Sequence, residues 1–333
     1  MDMKIAIVRL SAIGDIVQSM IVLQFIKKKF PYASIDWFID NQFATLLDDC
    51  IEIDNVIKLD LKMIKQNKSL ILLFKTLRKL QTFKKYDYVF DLQGLIKSAV
   101  ISRFIPARER VGFDKNSIRE KFASYFYSQK FCIPYDENVI RRYVGIVSKA
   151  LNIDISDDQI IRKKPFFHII SKENTKSKKQ VAIILGASDI SKIYPAEKYA
   201  EIIANVDANF IALWHSKSEG LTAKKLSLIT EKVTLIDCKN FSQLKSLIQN
   251  SDLIIGGDTG PTHLAWAMNK SSITIFGPTP LERNFFQTNI NLAIKSKSIV
   301  NPYKINKKDF SISEINPLDI SLMARKLLNI TQE

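Results

Sequence analysis

The stretch LIIGGDTGPTHLAWAM, residues 253–268, decides the fold of this chain. Three apolar residues are followed by two glycines, then by a polar turn, and then by an apolar run of helical length. A short apolar strand that passes through a glycine-rich turn into a helix is the repeating unit of a parallel sheet covered on both faces. Pro261 suits the first turn of that helix, where its missing N–H costs nothing. The stretch therefore predicts a strand, a turn and a helix that starts near Thr259.

This turn is also the most specific candidate binding site in the sequence. The backbone N–H groups of Thr259 and Gly260 would point at an anion, which the dipole of the helix would favour. The glycines at residues 256 and 257 would let that anion approach the backbone. Thr262 and His263 are open to a second interpretation, as helix-capping residues. The turn thus predicts phosphate binding and leaves the rest of the ligand open.

The same alternation of short β-branched runs and longer amphipathic runs extends along the whole chain. It predicts strands over residues 5–10, 35–38, 56–59, 88–92, 181–185, 210–213, 233–236, 253–255 and 273–275. It predicts helices over about 16–29, 70–83, 96–104 and 317–330, and from near Pro195, Ser218, Phe241 and Thr259. This order indicates an α/β fold with parallel sheets covered by helices on both faces.

Two charged segments between the halves of the chain mark a domain boundary. Residues 162–165 (RKKP) and 171–180 (SKENTKSKKQ) contain few apolar side chains and are typical of a linker or surface loop. We therefore predict two Rossmann-like, doubly wound domains, residues 1–165 and 166–333. We expect them to face each other across a cleft.

The composition narrows the choice of partner without settling it. A net charge of +15 favours nucleic acid, an anionic membrane surface or a phosphorylated substrate as the partner, and the charge is dispersed along the chain.

The three cysteines and three histidines are scattered along the sequence, so we expect neither a disulfide framework nor a metal site. No window reaches the roughly 18–20 uncharged apolar residues of a membrane span. No leader pattern precedes the first strand, so we expect a cytoplasmic protein.

Polar residues follow the first predicted strand and the strand that ends near residue 92. Asp15 comes after Gly14 at the start of a helix, and it is either an N-cap or a carboxylate base. Gln93 and Lys97 could hold an anionic sugar, or they could be solvated residues of a turn. Ligands of doubly wound sheets bind at the carboxyl ends of strands, so both loops are candidate sites.

A small-residue loop follows the first strand of the second half. It reads GASDISKIYP, residues 186–195, and its backbone N–H groups can face a phosphate, as in anion-binding nests. Lys192 is placed to reach such a phosphate, although a solvated lysine would look the same in sequence.

In these loops the sequence resembles the bacterial lipopolysaccharide heptosyltransferases, glycosyltransferase family 9, which have the GT-B fold. The resemblance rests on residues 11–15 (SAIGD), 91–99 (DLQGLIKSA), 258–263 (DTGPTH) and 276–279 (FGPT). The order and spacing of these motifs match over nearly the whole chain. The 93–99 stretch looks most like the heptosyltransferase I branch, which acts on the first Kdo of the inner core.

The resemblance implies an inverting, metal-independent transfer of heptose without a cofactor. The donor would be ADP-L-glycero-β-D-manno-heptose and the acceptor Kdo-lipid A, held by the second and first domains respectively. Asp15 matches the catalytic aspartate, and Glu219 and Lys239 fall near positions expected on the ribose and the adenine. Further donor-binding positions fall on Ala187, Ser188, Lys192, Asp258, Thr259, Gly260 and His263. The acceptor-binding positions that we assign are Gln93, Gly94 and Lys97. Ala187 stands where a hydroxyl residue is common, so a phosphate contact there would use only its backbone.

Three alternatives stay open at this point. Heptosyltransferase II or another family 9 transferase would share the same motifs. A basic, non-catalytic nucleic-acid-binding protein would explain the charge, but its basic residues should cluster and alternate with aromatic residues, which they do not. A nicotinamide oxidoreductase should carry a G-x-G-x-x-G fingerprint after its first strand, and none is present. We expect no nucleic-acid partner.

One segment suggests how a protein without a predicted span would reach a lipid. Residues 61–85 are rich in both lysine or arginine and large apolar side chains, as in helices that lie in the headgroup region. We expect the largest contribution to contact with the lipid surface from three cations of this segment, Lys75, Arg78 and Lys79. A helix between two strands must also bury an apolar face on the sheet, which would explain the same pattern. Our hypothesis from this segment is that the protein makes peripheral contact with the cytoplasmic face of the inner membrane.

Overall fold

The computed structural model describes residues 3–169 and 178–330, which form two compact units, residues 1–168 and 169–333. Each unit contains one six-stranded parallel sheet, so the predicted α/β class with two doubly wound sheets is confirmed. The division follows His168, a few residues beyond the predicted end of the first domain. The functional roles given to the two domains stay predictions.

The first unit alternates strands and helices in the order expected of a doubly wound sheet. Its strands are β1 Lys4–Val8, β2 Ser34–Asp40, β3 Asn55–Leu59, β4 Tyr86–Asp91, β5 Ala107–Phe113 and β6 Gln129–Phe131. Its helices are α1 Ile13–Ser19, α2 Ile21–Lys29, α3 Leu61–Asn67, α4 Leu70–Leu80, α5 Ile96–Phe104, α6 Val139–Leu151 and α7 Asp157–Ile161. Two 3₁₀ turns cover Asn41–Leu46 and Lys121–Phe126. The strand order is β3-β2-β1-β4-β5-β6, and every pair is parallel.

The second unit repeats this architecture. Its strands are β7 Gln180–Ile184, β8 Asn209–Trp214, β9 Val233–Asp237, β10 Leu253–Gly257, β11 Ser271–Phe276 and β12 Asn291–Lys295. Its helices are α8 Ala196–Asn205, α9 Lys217–Ile229, α10 Phe241–Gln249, α11 Gly260–Ala267, α12 Leu281–Asn284 and α13 Pro317–Leu328. Two 3₁₀ turns cover Ile190–Lys192 and Ser311–Glu314. The strand order is β12-β11-β10-β7-β8-β9, again parallel throughout.

Both sheets are apolar at the centre, which is why their strands could be recognised in sequence. In β7 and β10 every residue is buried. Sheets covered by helices on both faces need such continuous apolar strands rather than alternating ones. In each unit the strand order reverses direction between the first and fourth strands. Loops that leave this switch point form the crevice in which ligands of doubly wound sheets bind.

The strands that the sequence did not predict lie at a sheet edge or next to one. The edge strands β6 and β12, and β5 beside β6, were missed because polar residues break their apolar runs. Helix α6 was also missed, since the buried Arg142 interrupts its apolar face. The helix predicted over residues 16–29 is two helices, α1 and α2, separated at Met20.

The first part of the predicted linker is a surface loop with one buried side chain. Arg162, Lys164 and Pro165 are exposed and lie outside helices and strands. Lys163 is buried, with its ammonium 5.2 Å from the ring centroid of Phe166. Burial lowers the pKa of Lys163 to about 7. Next to it, the backbone N–H of Lys164 donates to the amide oxygen of Gln24. Residues 171–177 of the second charged segment lie outside the described residues, and Gln180 is the first residue of β7.

Within residues 3–169 and 178–330, every helix is too short or too polar to cross a membrane.

Candidate functional site

In the first unit, the switch point brings together the two loops that the sequence singled out. Strands β1 and β4 are neighbours, so residues that follow them meet at one edge of the sheet. Gln93 accepts a hydrogen bond from the backbone N–H of Leu10 at 2.9 Å, and its amide nitrogen lies 3.5 Å from Oγ of Ser11. The ammonium of Lys97 reaches the same Oγ at 3.2 Å. The predicted residues Gln93 and Lys97 are therefore brought beside the loop that leads to Asp15.

Asp15 is not the N-cap that one interpretation of the sequence suggested. Helix α1 begins at Ile13 with Ala12 as its N-cap, and Asp15 lies within the first turn. Its carboxylate is held on both oxygens: Arg9 Nη2 donates to Oδ2 at 2.7 Å, and the hydroxyl of Tyr143 donates to Oδ1 at 3.2 Å. The side chain is still 42% exposed, so the carboxylate can reach a ligand.

Arg9 is the residue of this cluster that the sequence interpretation missed. It follows β1, is almost fully buried, and donates through Nη1 to the carbonyl oxygen of Leu92 at 2.8 Å. Burial alone would lower the pKa of its guanidinium, but the charges of Asp15 and Asp91 and the Tyr143 hydroxyl raise it above its ordinary value. A charged residue at the end of an apolar strand was the available signal. Tyr143, on α6, gave none, because it is 128 positions away along the chain.

Gly94 has a structural reason to be glycine. Its φ of +68° is in the left-handed region, and a Cβ would lie 2.7 Å from Cγ2 of Ile118. Its N–H donates to the buried carboxylate of Asp91 at 3.1 Å, and Tyr127 donates to the other oxygen at 2.7 Å. Burial raises the pKa of Asp91 despite these hydrogen bonds. This arrangement holds the turn that carries Gln93 and Lys97.

Lys97 lies in a mixed electrostatic environment. Desolvation by burial lowers the pKa of its ammonium, the carboxylates of Asp40 and Glu120 raise it, and the cations of Arg9 and Lys65 lower it again. The balance is a net lowering. Asp40 itself is buried, and its Oδ1 has no hydrogen-bond partner within the described chain. This edge of the sheet thus presents cations, which suit an anionic group, and carboxylate oxygens, which suit hydroxyl donors of a ligand.

In the second unit, Asp258 is the centre of a buried polar cluster. It follows β10, and the Lys192 ammonium donates to its carbonyl oxygen at 3.1 Å and to Oδ2 at 3.2 Å. The amide nitrogen of Asn284 also donates to Oδ2 at 3.1 Å, and Nε2 of His263 lies 3.0 Å from Oδ1. Burial would raise the pKa of Asp258, but the charge of Lys192 and the His263 contact hold it well below its ordinary value. Asp258 is therefore an anion that orients Lys192.

The helix that follows this carboxylate begins where the sequence predicted. Thr259 is the N-cap of α11, and Pro261 lies in the first turn. The alternative interpretation of Thr262 and His263 as caps is wrong, because both lie inside the helix and are buried. The first N–H groups of a helix have no intrahelical partner, and the positive end of the dipole lies there. The N-terminus of α11 and the Lys192 ammonium therefore lie together around Asp258, next to one switch point.

Gly257 fixes the distance between this turn and the loop that carries Lys192. We expect Gly257→Ala to lower the melting temperature, because its Cβ would lie 2.6 Å from the carbonyl oxygen of Lys192. Backbone atoms must move to relieve that overlap, and overpacking of this kind costs about 1–3 kcal/mol. Thermal unfolding measures the effect. Gly145→Ala is the control, since its Cβ would meet only the end of the Ile133 side chain at 2.9 Å. Equal melting temperatures for both variants would contradict the prediction.

The remaining predicted residues follow β7, β8 and β9. Ala187 and Ser188 lie in the loop after β7, half-buried and exposed respectively. Glu219, in the first turn of α9, accepts from the backbone N–H of His215 at 2.8 Å. A Cβ on Gly186 would lie 2.3 Å from the carboxylate of Glu219, so only glycine lets this carboxylate approach the loop. Lys239 is exposed and pairs with the adjacent Asp237.

Within the described part of the chain, the acidic, histidine and cysteine side chains form no group of three or more that could hold a metal ion.

The family model described as glycosyltransferase family 9 (heptosyltransferase) matches residues 73–311. Over 344 residues, the sequence is 40% identical to lipopolysaccharide heptosyltransferase 1 of Campylobacter coli, covering 98% of this chain and 99% of that protein. It is 24% identical to lipopolysaccharide heptosyltransferase 1 of Salmonella typhimurium, covering 83% of this chain and 89% of that protein.

Solved structures agree on the fold. The Escherichia coli heptosyltransferase WaaC with ADP superposes with a TM-score of 0.80 at 20% identity, covering 98% of this chain and 100% of that chain. A family 9 glycosyltransferase from Veillonella parvula superposes with a TM-score of 0.82 at 16% identity, covering 99% of both chains.

Proposed function

The chain belongs to glycosyltransferase family 9, the heptosyltransferases, and from this premise we propose that it transfers L-glycero-D-manno-heptose from ADP-heptose to the Kdo of Kdo-lipid A. This reaction is a step in the synthesis of the lipopolysaccharide inner core. The Campylobacter coli relative, at 40% identity over nearly full length, supports the first heptosyltransferase rather than the second.

The observation that carries the proposal is the cluster around Asp258 in the second unit. The Lys192 ammonium is held 3.2 Å from a buried carboxylate, next to the N-terminus of α11. A diphosphate that enters would meet a cation and a helix N-terminus, which together favour anions. To bind the diphosphate, Lys192 would have to turn only partly away from Asp258, because its ammonium can contact the diphosphate and Asp258 at the same time. We therefore propose that Ser188, Lys192, Thr259, Gly260 and His263 surround the diphosphate and sugar, with the backbone of Ala187.

The nucleoside would lie farther along the same sheet edge. The Glu219 carboxylate borders Gly186 after β7, and Lys239 follows β9. A half-buried carboxylate is a good acceptor for two neighbouring ribose hydroxyls. We propose that Glu219 binds the ribose and that Lys239 lies by the adenine.

In the first unit we propose that Asp15 is the general base. Asp15 takes the proton of the Kdo hydroxyl as the oxygen of that hydroxyl forms a bond to C1 of the heptose. The bond between C1 and the diphosphate oxygen breaks on the opposite face, so the anomeric centre inverts and ADP leaves with the added negative charge. Arg9 and Tyr143 hold the carboxylate in position, and Gln93, Gly94 and Lys97 would contribute to the acceptor site.

The assay that tests the function uses purified protein, ADP-heptose and Kdo-lipid A. We expect release of ADP together with an acceptor that is heavier by one heptose in mass spectrometry. An acceptor that already carries one heptose should react poorly. A preference for that acceptor would instead assign the chain to the second heptosyltransferase, and no turnover with either would contradict the proposal.

We expect this activity to be independent of divalent metal ions. In the proposed reaction, Lys192 and the N-terminus of α11 balance the charge on the leaving diphosphate. A metal ion therefore has no required role. The initial rate should be equal with excess EDTA and with added Mg²⁺ or Mn²⁺. Loss of turnover in EDTA that returns on adding Mg²⁺ would show that the diphosphate needs a metal ion.

We further propose that the protein works as a peripheral protein at the cytoplasmic face of the inner membrane. The reason is chemical, since the acceptor is a lipid whose acyl chains stay in a bilayer while its sugars are exposed at the surface.

A further inference from the structure

Helices α3 and α4 carry large apolar side chains on the outside of the first unit. Leu70, Ile71 and Phe74 are 68%, 83% and 69% exposed, and Met63 on α3 is exposed beside them in sequence. We call the first three side chains the α4 ridge. Single exposed apolar residues are ordinary, but three within two turns of one helix form a patch that marks an interaction surface.

The ridge is not the face by which α4 packs on its own sheet. Leu77 and Leu80 are buried in the core with Val8, Phe38 and other strand residues, and Leu73 packs against that core. Ile71 and Phe74 therefore lie on a different side of the helix from these core residues, and Leu70 is exposed at the first residue of the helix. An amphipathic helix needs one apolar side for its core, so the additional apolar side is free for a partner.

The charge around the ridge restricts the chemistry of that partner. Residues 61–85 contain no acidic residue. They contain eight exposed basic residues: Lys62, Lys65, Lys68, Lys75, Arg78, Lys79, Lys84 and Lys85. Among the described residues, none of these eight takes part in a salt bridge. A second copy of this surface would bring like charges together, whereas an anionic surface complements them.

We propose that the α4 ridge is the membrane-docking surface of the protein and that its partner is a bilayer containing anionic lipids. Leu70, Ile71 and Phe74 enter the boundary between headgroups and acyl chains, as the apolar face of an interfacial helix does. The flanking lysine and arginine side chains extend their ammonium and guanidinium groups to the lipid phosphates. This inference rests on the proposed function in one respect only, because docking is useful to an enzyme whose acceptor is a lipid.

Vesicle flotation tests the proposal with the full-length protein. Vesicles of phosphatidylethanolamine and phosphatidylglycerol are compared with vesicles of phosphatidylcholine alone, at low and high salt. We expect binding to the anionic vesicles that weakens as salt rises, and little binding to the neutral ones. Leu70→Gln, Ile71→Gln and Phe74→Gln together should reduce the partition coefficient onto anionic vesicles about tenfold or more. The reason is that the apolar area that the ridge buries in the bilayer is lost. Gln is used because it maintains helix propensity.

A matched variant separates docking from general surface hydrophobicity. Leu221→Gln with Leu228→Gln removes two side chains of α9 in the second unit that are 72% and 80% exposed, and it should leave vesicle binding unchanged. Lys75→Gln, Arg78→Gln and Lys79→Gln together should weaken the salt-sensitive part of binding. Equal binding by wild type and ridge variant would overturn the proposal. A ridge variant that changes only the oligomeric state in size-exclusion chromatography would also overturn it in favour of a second copy.

A water-soluble acceptor distinguishes failure of docking from failure of the proposed function. With Kdo-glucosamine lacking acyl chains, the ridge variant should release ADP at the wild-type rate. With Kdo-lipid A in anionic vesicles, its apparent KM should rise about tenfold with an unchanged kcat. No activity of wild-type protein on either acceptor would contradict the function, whereas normal activity of the ridge variant on vesicles would contradict docking alone.

Discussion

Replacing Asp15 by asparagine is expected to lower turnover by about 10²–10⁴-fold, the usual contribution of general base catalysis. An amide has the shape of the carboxylate and can still accept from Arg9 or Tyr143, but it cannot take the proton of the acceptor hydroxyl. ADP affinity should be unchanged, because the nucleotide site that we propose lies in the second unit. Steady-state kinetics at saturating substrates and calorimetric titration with ADP measure the two quantities.

A matched carboxylate in the same unit controls for the lost ion pair. Asp54 has the same 42% side-chain exposure as Asp15 and lies 3.0 Å from the ammonium of Lys27. It precedes β3 and thus lies at the opposite, amino-terminal edge of the sheet. Asp54→Asn should lower the melting temperature about as much as Asp15→Asn while retaining turnover. Near-full turnover in Asp15→Asn would assign Asp15 to a structural role with Arg9.

Lys192→Ala is expected to have the second largest effect. It should weaken ADP binding and slow transfer by about 10²–10³-fold, the range seen when one donor to a developing charge is removed. It should also lower stability, because Asp258 is buried and loses its cation. Removing one partner of a fully buried ion pair costs about 3–5 kcal/mol, and less is expected here since Lys192 is partly exposed. Calorimetric titration with ADP and thermal unfolding measure the two effects.

Two further variants separate the binding role of Lys192 from its structural role. Adding Asp258→Asn to Lys192→Ala removes the uncompensated charge, so it should restore part of the melting temperature and none of the ADP affinity. Lys178→Ala removes a cation that pairs with Asp207 at 2.6 Å in the same unit, just before β7 rather than after it. ADP affinity should be normal in that control. A double variant that recovered ADP affinity along with stability would show that Lys192 acts only by neutralising Asp258.

The sequence could predict which loops form the candidate sites, because these loops follow the ends of strands. The loops after β1, β4, β7 and β10 could be found because each follows an apolar run and breaks into glycine or polar residues. Sequence alone could not show that Asp15 is held by Arg9 and Tyr143, since the contact with Tyr143 spans 128 positions. The interpretation of Asp15 as a helix cap was wrong for a local reason, because α1 starts three residues earlier than the pattern suggested. The roles of these residues in binding and catalysis stay predictions until the variants are measured, as does the cleft between the domains.

By itself the sequence determined the α/β class, the central strands, the charge and the family to which the chain belongs. These depend on the period of apolar residues and on short motifs, both of which are properties of neighbouring positions. Tertiary structure decided the order of the strands, and with it which loops meet at a switch point. It also decided which apolar residues of α4 are buried: Leu77 and Leu80 pack on the sheet, while Ile71 and Phe74 face outward. Burial depends on contacts with distant strands, so a helix with apolar residues on two sides has no local signal that tells which side the core will cover.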